Sequence, residues 1–484
     1  MSRASRDLTQ GPVFGHMMRL VIPMSFGITA MMLVGVIDAY WVGRLGTAQQ
    51  AAVQFVFPVS MLVMSIAIGL GAGAVSVVAR AAGKGDTSRT RRLATDAVIL
   101  SFLVVLAASV VGIALIDPLF RLMGATEEMM PHIRDYMTVW FAGVVFVVGP
   151  MVASNLLRAL GDAILPSVIM IFAAVLNMIL DPILIFGLGP IPRLEVTGAA
   201  LATLLSNFVV FLITMAILVF REKLIDLSWP GWDEVMWNWR EIARIGAPAA
   251  GSNMINPVAT TLVFSATARF GEAAVAGFGV AARVEALAII PLFALSGSIG
   301  PITGQNGGAG RIDRVREAFR ASFVFCLAWS GAMAVLLFFG GDYLAPVFLT
   351  SADAQQVAER YWDIVPITIA GYGIAMASSA GFNGLGRPLY GVALNLVRGF
   401  VLLAPLAWVG AVSGGATGVI WGVAAANALS GVIIAVYVLK IAPMNEVEGK
   451  ARPAKTEGPA TDAEAIVGAN DAPALKSPTD EPTR

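Results

Sequence analysis

Long apolar runs separated by short polar segments occupy most of the chain. Because a bilayer core about 30 Å thick requires about 20 apolar residues per helix, each run is long enough to span a membrane. Many runs contain Gly or Pro, which bundled membrane helices tolerate as bends. The pattern predicts twelve spans, near residues 18–40, 52–79, 94–116, 136–157, 164–188, 197–220, 247–268, 274–304, 320–341, 364–384, 389–410 and 416–439.

The composition supports a membrane protein and excludes several other classes. Hydrophobic residues make up 57% of the 484 residues and charged residues 13%, whereas soluble proteins have about 25% charged residues. So few charges cannot cover the surface of a soluble protein, and the lipid bilayer is the expected surrounding. Lys+Arg and Asp+Glu are 32 each, which gives no reason to expect a nucleic-acid partner. The single cysteine, Cys326, excludes an intrachain disulfide.

Loop charges predict the orientation, since Lys and Arg are retained on the cytoplasmic side of a membrane. The loops after the even-numbered spans up to span 10 hold fifteen Lys and Arg, and the opposite loops hold six. Both termini are therefore expected to face the cytoplasm, in a cytoplasmic (inner) membrane of the bacterial type.

The same pattern divides the chain into five regions. The linker contains four tryptophans beside charged residues, a mixture suited to the headgroup level. The tail is rich in Pro and charged residues and is expected to be disordered. The regions are a cytoplasmic N-terminus (1–17), an N-lobe of spans 1–6 (18–220), an interfacial linker (221–246), a C-lobe of spans 7–12 (247–440) and the cytoplasmic tail (441–484).

The two lobes repeat each other. A shift of 225 residues superimposes Pro23 on Pro248, Arg44 on Arg269, Gly83 on Gly308 and Gly85 on Gly310. This agreement indicates a duplication, and six spans per half give both halves the same orientation. Parallel repeats suit a carrier that works by alternating access. A duplication kept only for packing is the alternative.

Carboxylates inside the predicted spans are the strongest candidates for function, because a charge in a span is costly and normally faces a cavity or a partner. Asp38 lies in span 1 and Asp181 in span 5, with Asn177 four residues earlier on the same helical face. Thr203 lies at similar depth in span 6, and Tyr136, in span 4, is a weaker candidate. Two carboxylates together with an amide and a hydroxyl in one poorly hydrated pocket could take up or release a proton near neutral pH.

The same oxygens allow a second interpretation, in which Asp38, Asn177 and Asp181 hold Na⁺ as a metal site. A purely structural role is the third, with Asp38 in interfacial water and Asp181 hydrogen-bonded between bent helices. Glu285, in span 8, could serve either transport or an ion pair with another helix. The repeat equivalent of Asp38 is Val263, so the carboxylate chemistry is expected in the N-lobe.

Sequence motifs for catalysis are missing. The chain has no HExxH, GxSxG, Walker phosphate loop or Cys/His cluster, so neither an enzyme nor a cofactor is expected. The GLGAG run at residues 69–73 lies inside a span, which favours close helix packing over nucleotide binding.

Three segments resemble the multidrug and toxic compound extrusion (MATE) family of antiporters. They are VGVIDAYWVGRLG, LRALGDAILPSVIMIFAAVLNMILDPILIFGLGPIPRLEVTGAALAT and GFGVAARVEALAIIPLFALSGSIGPITGQNGGAGR. The resemblance implies an all-α membrane protein of twelve transmembrane helices in two six-helix lobes, which exports small organic compounds, cationic or amphiphilic ones, in exchange for H⁺ or Na⁺.

Within this family the resemblance is to the DinF-like branch, in which N-lobe carboxylates couple transport. The matching positions are Asp38, Asn177 and Asp181, with Thr203. The NorM-like branch adds acidic residues in spans 7 and 10, and this chain has none there. H⁺ rather than Na⁺ is the expected coupling ion. A lipid-linked precursor flippase of the same superfamily and a membrane-embedded enzyme are the alternatives.

Overall fold

The computed structural model describes residues 7–187 and 192–442, and for residues 47–52 and 54 the backbone alone. The predicted disordered tail (441–484) lies outside the described residues from residue 443 onward. The described chain forms helices without strands. The helices are α1 Val13–Gly43, α2 Thr47–Gly83, α3 Thr87–Leu122, α4 Met130–Ala159, α5 Ile164–Phe186, α6 Glu195–Ala216, α7 Trp232–Ala268, α8 Glu272–Ala288, α9 Ile290–Gly308, α10 Ile312–Phe348, α11 Ala352–Ile364, α12 Ile369–Gly384, α13 Pro388–Leu396 and α14 Ala404–Val436.

Short π-helical and 3-10 segments extend or join some of these helices. They are Ile217–Arg221 after α6, Pro366–Thr368 between α11 and α12, Val397–Leu403 between α13 and α14, and Tyr437–Ile441 after α14. Together with them, nine helical runs of the described residues are long and apolar enough to cross a bilayer. Helices α8 and α9, which meet at a bend of 43°, form a tenth span.

The last of these runs, Pro388–Ile441, contains two spans because the chain reverses at Gly414 and Gly415. Gly415 has a φ of 63°, outside the helical region. A Cβ atom on Gly410 would lie 2.0 Å from the carbonyl oxygen of Gly418, although eight residues of straight helix span about 12 Å. The nine runs thus contain ten spans, and the α8–α9 pair and α7 bring the total for the described residues to twelve. Each predicted span falls on one of these twelve. The predicted fold class is confirmed.

Equivalent turns in the two lobes support the duplication. The turns that follow α2 and α9 each contain a glycine in the left-handed region, Gly85 with a φ of 75° and Gly310 with a φ of 73°. Residues with a Cβ rarely adopt this conformation. The two glycines are one pair of the 225-residue repeat.

The segment expected to be an interfacial linker includes the first turns of α7, which begins at Trp232. These turns are attached to the N-lobe: the Asn238 side chain donates to Asp96 Oδ2 at 2.7 Å, and Glu241 pairs with Arg80 at 3.2 Å. The indoles of Trp229 and Trp232 are mostly exposed. Exposed tryptophans at this level suit the headgroup region.

Helix α2 connects the lobes by packing closely on α7. A Cβ atom on Gly69 would lie 2.4 Å from the carbonyl oxygen of Gly246, and one on Gly73 would lie 2.5 Å from that of Ile242. Small residues allow such close helix contact. The structure confirms the packing role predicted for the GLGAG run.

The lobes also meet at the end of the bundle where α2 and α9 finish, here called the inner end because loop charge predicts that it faces the cytoplasm. The Gln305 side chain donates to the Ala159 carbonyl at 2.8 Å and accepts from the Leu8 N–H at 3.0 Å. Leu8 is buried. These contacts connect α9, α4 and the segment before α1, and they close the inner end.

Candidate functional site

Two carboxyl groups meet inside the N-lobe, one from α1 and one from α5. The side chains of Asp38 and Asp181 lie within hydrogen-bonding distance of each other. Asp181 is fully buried and Asp38 is half-buried. In the described part of the chain, the Asp181 oxygens have no hydrogen-bond donor. Two carboxylates in such contact repel each other unless a proton or a cation lies between them.

The Asn177 side chain joins this carboxyl pair to α6. In the amide orientation that satisfies its neighbours, Asn177 Nδ2 donates to Asp38 Oδ1 at 3.2 Å and Oδ1 accepts from the Thr203 N–H at 3.3 Å. The Thr203 hydroxyl oxygen lies 3.4 Å from the same amide. The structure therefore brings together four of the predicted site residues, from three helices.

Tyr136 on α4 completes the predicted set. It is half-buried and close enough to Asp38 and Asp181 to interact with their charges. One turn beyond Asp38, the Trp41 ring packs edge-on against Phe186, with 5.7 Å between the ring centres. The rings add an apolar contact between α1 and α5, the two helices that carry the carboxyl pair.

A cation at this place would find oxygen ligands of several kinds. The described residues contain no group of three or more His, Cys, Asp or Glu side chains arranged around one point. Na⁺ would therefore take the Asn177 and Thr203 oxygens together with the carboxylates of Asp38 and Asp181.

A separate cavity of about 560 Å³ lies between the lobes, within the range of about 300–1,000 Å³ typical of small-molecule sites. One part of its wall is apolar and consists of Met24, Ile28, Met32, Ile68, Met170, Phe293 and Met376. The other part consists of Asn155, Arg158, Asn253, Ser296, Ser379, Asn383 and Asn395. Among the described lining residues, Arg158 is the one charged side chain.

Comparison with known proteins identifies the family. The sequence profile of the MatE family matches residues 23–183 and 248–409, one segment in each lobe. The chain belongs to the MATE family. MATE proteins are multi-pass membrane transporters, and this chain is one of them.

Individual MATE relatives are similar over nearly the whole chain. The FAD transporter of Shewanella oneidensis is 35% identical over 432 residues, which cover 89% of this chain and 95% of the relative. The multidrug export protein MepA of Staphylococcus aureus is 24% identical over 440 residues, with coverage of 89% and 95%. The Vibrio cholerae MATE transporter VcmN in its bent form has a TM-score of 0.83 at 27% identity, with coverage of 90% and 96%.

Sequence reasoning about this MATE transporter missed Arg158 as a cavity residue. The predicted end of span 4 at residue 157 puts Arg158 in a loop, whereas α4 continues to Ala159 and Arg158 lines the cavity. The three-residue spacing of Asn155 and Arg158, which places both on one helical face, was the signal for a shared site.

The C-lobe of this MATE transporter holds a second polar cluster around Glu285. The Tyr361 hydroxyl donates to the Glu285 carboxylate. Arg398 donates to Asn256 at 2.8 Å and to Asn427 at 3.0 Å, and its guanidinium lies 4.2 Å from the ring centre of Tyr372. Glu285 thus has a tyrosine partner on another helix, while the side chain of its neighbour Arg283 is exposed.

Proposed function

We propose that the protein is an H⁺-coupled antiporter that exports small organic compounds by alternating access. The observation that carries the proposal is the contact between the Asp38 and Asp181 carboxyls inside the N-lobe. Uptake of one proton makes the contact favourable, since a protonated carboxyl can donate to its ionised neighbour. Loss of that proton leaves two anions in contact, which favours separation of α1 from α5.

Helix α1 connects this proton site to the cavity. It presents Asp38 to α5, and it also contributes Met24, Ile28 and Met32 to the cavity wall. A change in the packing of α1 on α5 therefore changes the shape of the cavity. Protons entering from outside favour the state that releases substrate, and their loss to the cytoplasm resets the carrier.

The inner end supports the alternating-access part of the proposal. The cavity lies between the lobes, and the contacts of Gln305 with Ala159 and Leu8 close one end of it. In the proposed cycle this arrangement is the outward-facing state. Separation of these contacts would open the cavity to the cytoplasm.

The coupling ion can be determined with purified protein in liposomes. We expect efflux of a fluorescent substrate under an imposed pH gradient in Na⁺-free buffer, and little efflux under a Na⁺ gradient at equal pH. A shared proton needs only the two carboxyls, whereas Na⁺ needs several oxygens in one shell. Efflux driven by Na⁺ alone would reject the proton mechanism and leave the antiporter proposal intact.

The proposed orientation places both termini on the cytoplasmic side of the inner membrane. A reporter fused after Lys440 and one inserted near residue 86 should both report cytoplasm, because their neighbouring segments are rich in Arg and Lys. A reporter near residue 126 should report the outside. A periplasmic signal at residue 86 would reverse the assignment.

Transport of organic compounds suits the cavity better than the alternatives do. A flippase for lipid-linked precursors is expected to line its cavity with several Arg or Lys, and the described lining has Arg158 alone. An enzyme is not proposed, because the sequence lacks a nucleophile or metal motif. The relatives' names offer two substrate classes, a flavin dinucleotide and multiple drugs.

A further inference from the structure

We propose that Arg158 and Asn155 form an anion-binding subsite at the inner end of the cavity, and that the exported compound is a flat aromatic molecule carrying a phosphate or pyrophosphate. This inference rests on the proposed export function. It assigns the charge class of the substrate, and it replaces the expectation of a cation.

The Arg158 guanidinium has more N–H donors than its contact with Asn155 uses. Its Nη2 donates to Asn155 Oδ1 at 2.5 Å, and in the described residues no ion pair joins it to a carboxylate. A guanidinium has five N–H donors in a planar fork, which suits two oxygens of one phosphate. The geometry leaves donors available for a ligand in the cavity.

Helix packing fixes the position of Asn155, the partner of Arg158. Asn155 is buried, and a Cβ atom on Gly71 of α2 would lie 2.1 Å from Asn155 Nδ2. Gly71, the central glycine of the GLGAG run, has no side chain, and this leaves room for the amide. The amide in turn holds the guanidinium toward the cavity.

The charge of the lining selects against a cation. The carboxyls of Asp38 and Asp181 face each other inside the N-lobe and do not line the cavity. A bound cation would lie near Arg158 without a carboxylate partner, and repulsion between like charges is strong in a poorly hydrated site. An anion would form a charge-assisted hydrogen bond with the same arginine.

The rest of the wall suits a large aromatic ring with polar edges. Met24, Met32 and Phe293 offer soft, adaptable contacts to a flat apolar surface. Asn253, Asn383 and Asn395, also in the wall, offer amide groups that can hydrogen-bond the polar edge of such a ring. In one bound molecule, the ring would contact the apolar part of the wall and the phosphate would bind Arg158 in the polar part.

The test compares ligands that share one ring and differ in charge. Riboflavin is neutral and flavin mononucleotide carries a phosphate, so the ratio of their affinities isolates the anionic group. Equilibrium binding to purified protein in detergent, without any ion gradient, is read from flavin fluorescence. Ethidium, a flat cation, is measured on the same samples by its own fluorescence.

We expect wild-type protein to bind flavin mononucleotide more tightly than riboflavin or ethidium. Arg158→Gln should weaken flavin mononucleotide binding about tenfold or more, the usual effect of losing a charged hydrogen bond, and change riboflavin binding by about twofold at most. Arg158→Lys keeps the charge without the fork and should recover part of the loss. Arg283→Gln, on an exposed arginine of α8, should leave all three affinities unchanged.

Two results would overturn the inference. One is tighter wild-type binding of ethidium than of flavin mononucleotide, and the other is an equal effect of Arg158→Gln on riboflavin and flavin mononucleotide. Arg158-dependent binding without pH-driven efflux from liposomes would support the subsite and count against the proposed proton coupling, so the two proposals fail separately.

Discussion

Replacing either Asp38 or Asp181 with asparagine is expected to reduce pH-driven efflux to the level of empty liposomes. Asparagine keeps the size of the side chain and some hydrogen bonding, but it cannot take up or release a proton. The carboxyl contact between α1 and α5 would then remain in one state throughout the cycle. The variants should still insert into the membrane and elute as folded protein, because the amide can hydrogen-bond to the remaining carboxylate.

Glu285→Gln is the matched control for this prediction. Glu285 is also a carboxylate within a span, but it accepts from the Tyr361 hydroxyl, and among the described residues the groups that act on it are Tyr361 and Arg398 rather than a second carboxyl. Its replacement should reduce efflux much less than either aspartate replacement. Efflux at the wild-type rate from both Asp38→Asn and Asp181→Asn would show that the N-lobe pair is not the coupling site.

Local sequence signals were sufficient to single out Asp38, Asn177 and Asp181 as candidate site residues. Asn177 and Asp181 share one face of α5 by their four-residue spacing, and acidic residues in an apolar span require a partner. The apolar runs and the 225-residue repeat likewise gave the twelve spans and the two lobes. Contact between Asp38 and Asp181 required the packing of α1 on α5, which no local signal supplies.

The residues at the inner end of the cavity were harder to predict because their environment comes from the other lobe. Arg158 has the sequence context of a loop, at the end of an apolar run and beside Gly161 and Asp162. Its surroundings include Gln305 of α9, which donates to the carbonyl of the neighbouring Ala159. The local sequence around Arg158 contains no information about the contact between Ala159 and Gln305, which are far apart in the chain.

The contact of α2 with α9 at the inner end follows the symmetry of the repeat. A Cβ atom on Gly83 would lie 2.0 Å from the carbonyl oxygen of Gln305, and one on Gly308 would lie 2.2 Å from that of Arg80. The shift of 225 residues superimposes Gly83 on Gly308 and Arg80 on Gln305. The same backbone contact therefore occurs twice, and both copies must form for the inner end to close.

Gly308→Val is expected to destabilise this closure and to lower efflux about tenfold or more. The Cβ would meet the Arg80 backbone, which cannot rotate away as a side chain can, and overpacking of this kind costs about 1–3 kcal/mol. Because about 1.4 kcal/mol changes an equilibrium tenfold, the ratio of molecules with an open inner end to molecules with a closed one should rise about tenfold or more. The side chain alone would shift the conformational equilibrium, without touching the carboxyl pair.

Cysteine labelling measures this shift directly. Ser76 is buried and donates across the lobes to the Gly384 carbonyl at 3.1 Å, so Ser76→Cys should react slowly with N-ethylmaleimide while the inner end is closed. In a Cys326→Ser background, adding Gly308→Val should speed the reaction about tenfold, in line with the expected shift in population. Gly331→Val is the control, since a Cβ there would meet no atom of another described helix within 4 Å. Unchanged labelling and efflux in Gly308→Val would mean that the inner end closes by other contacts.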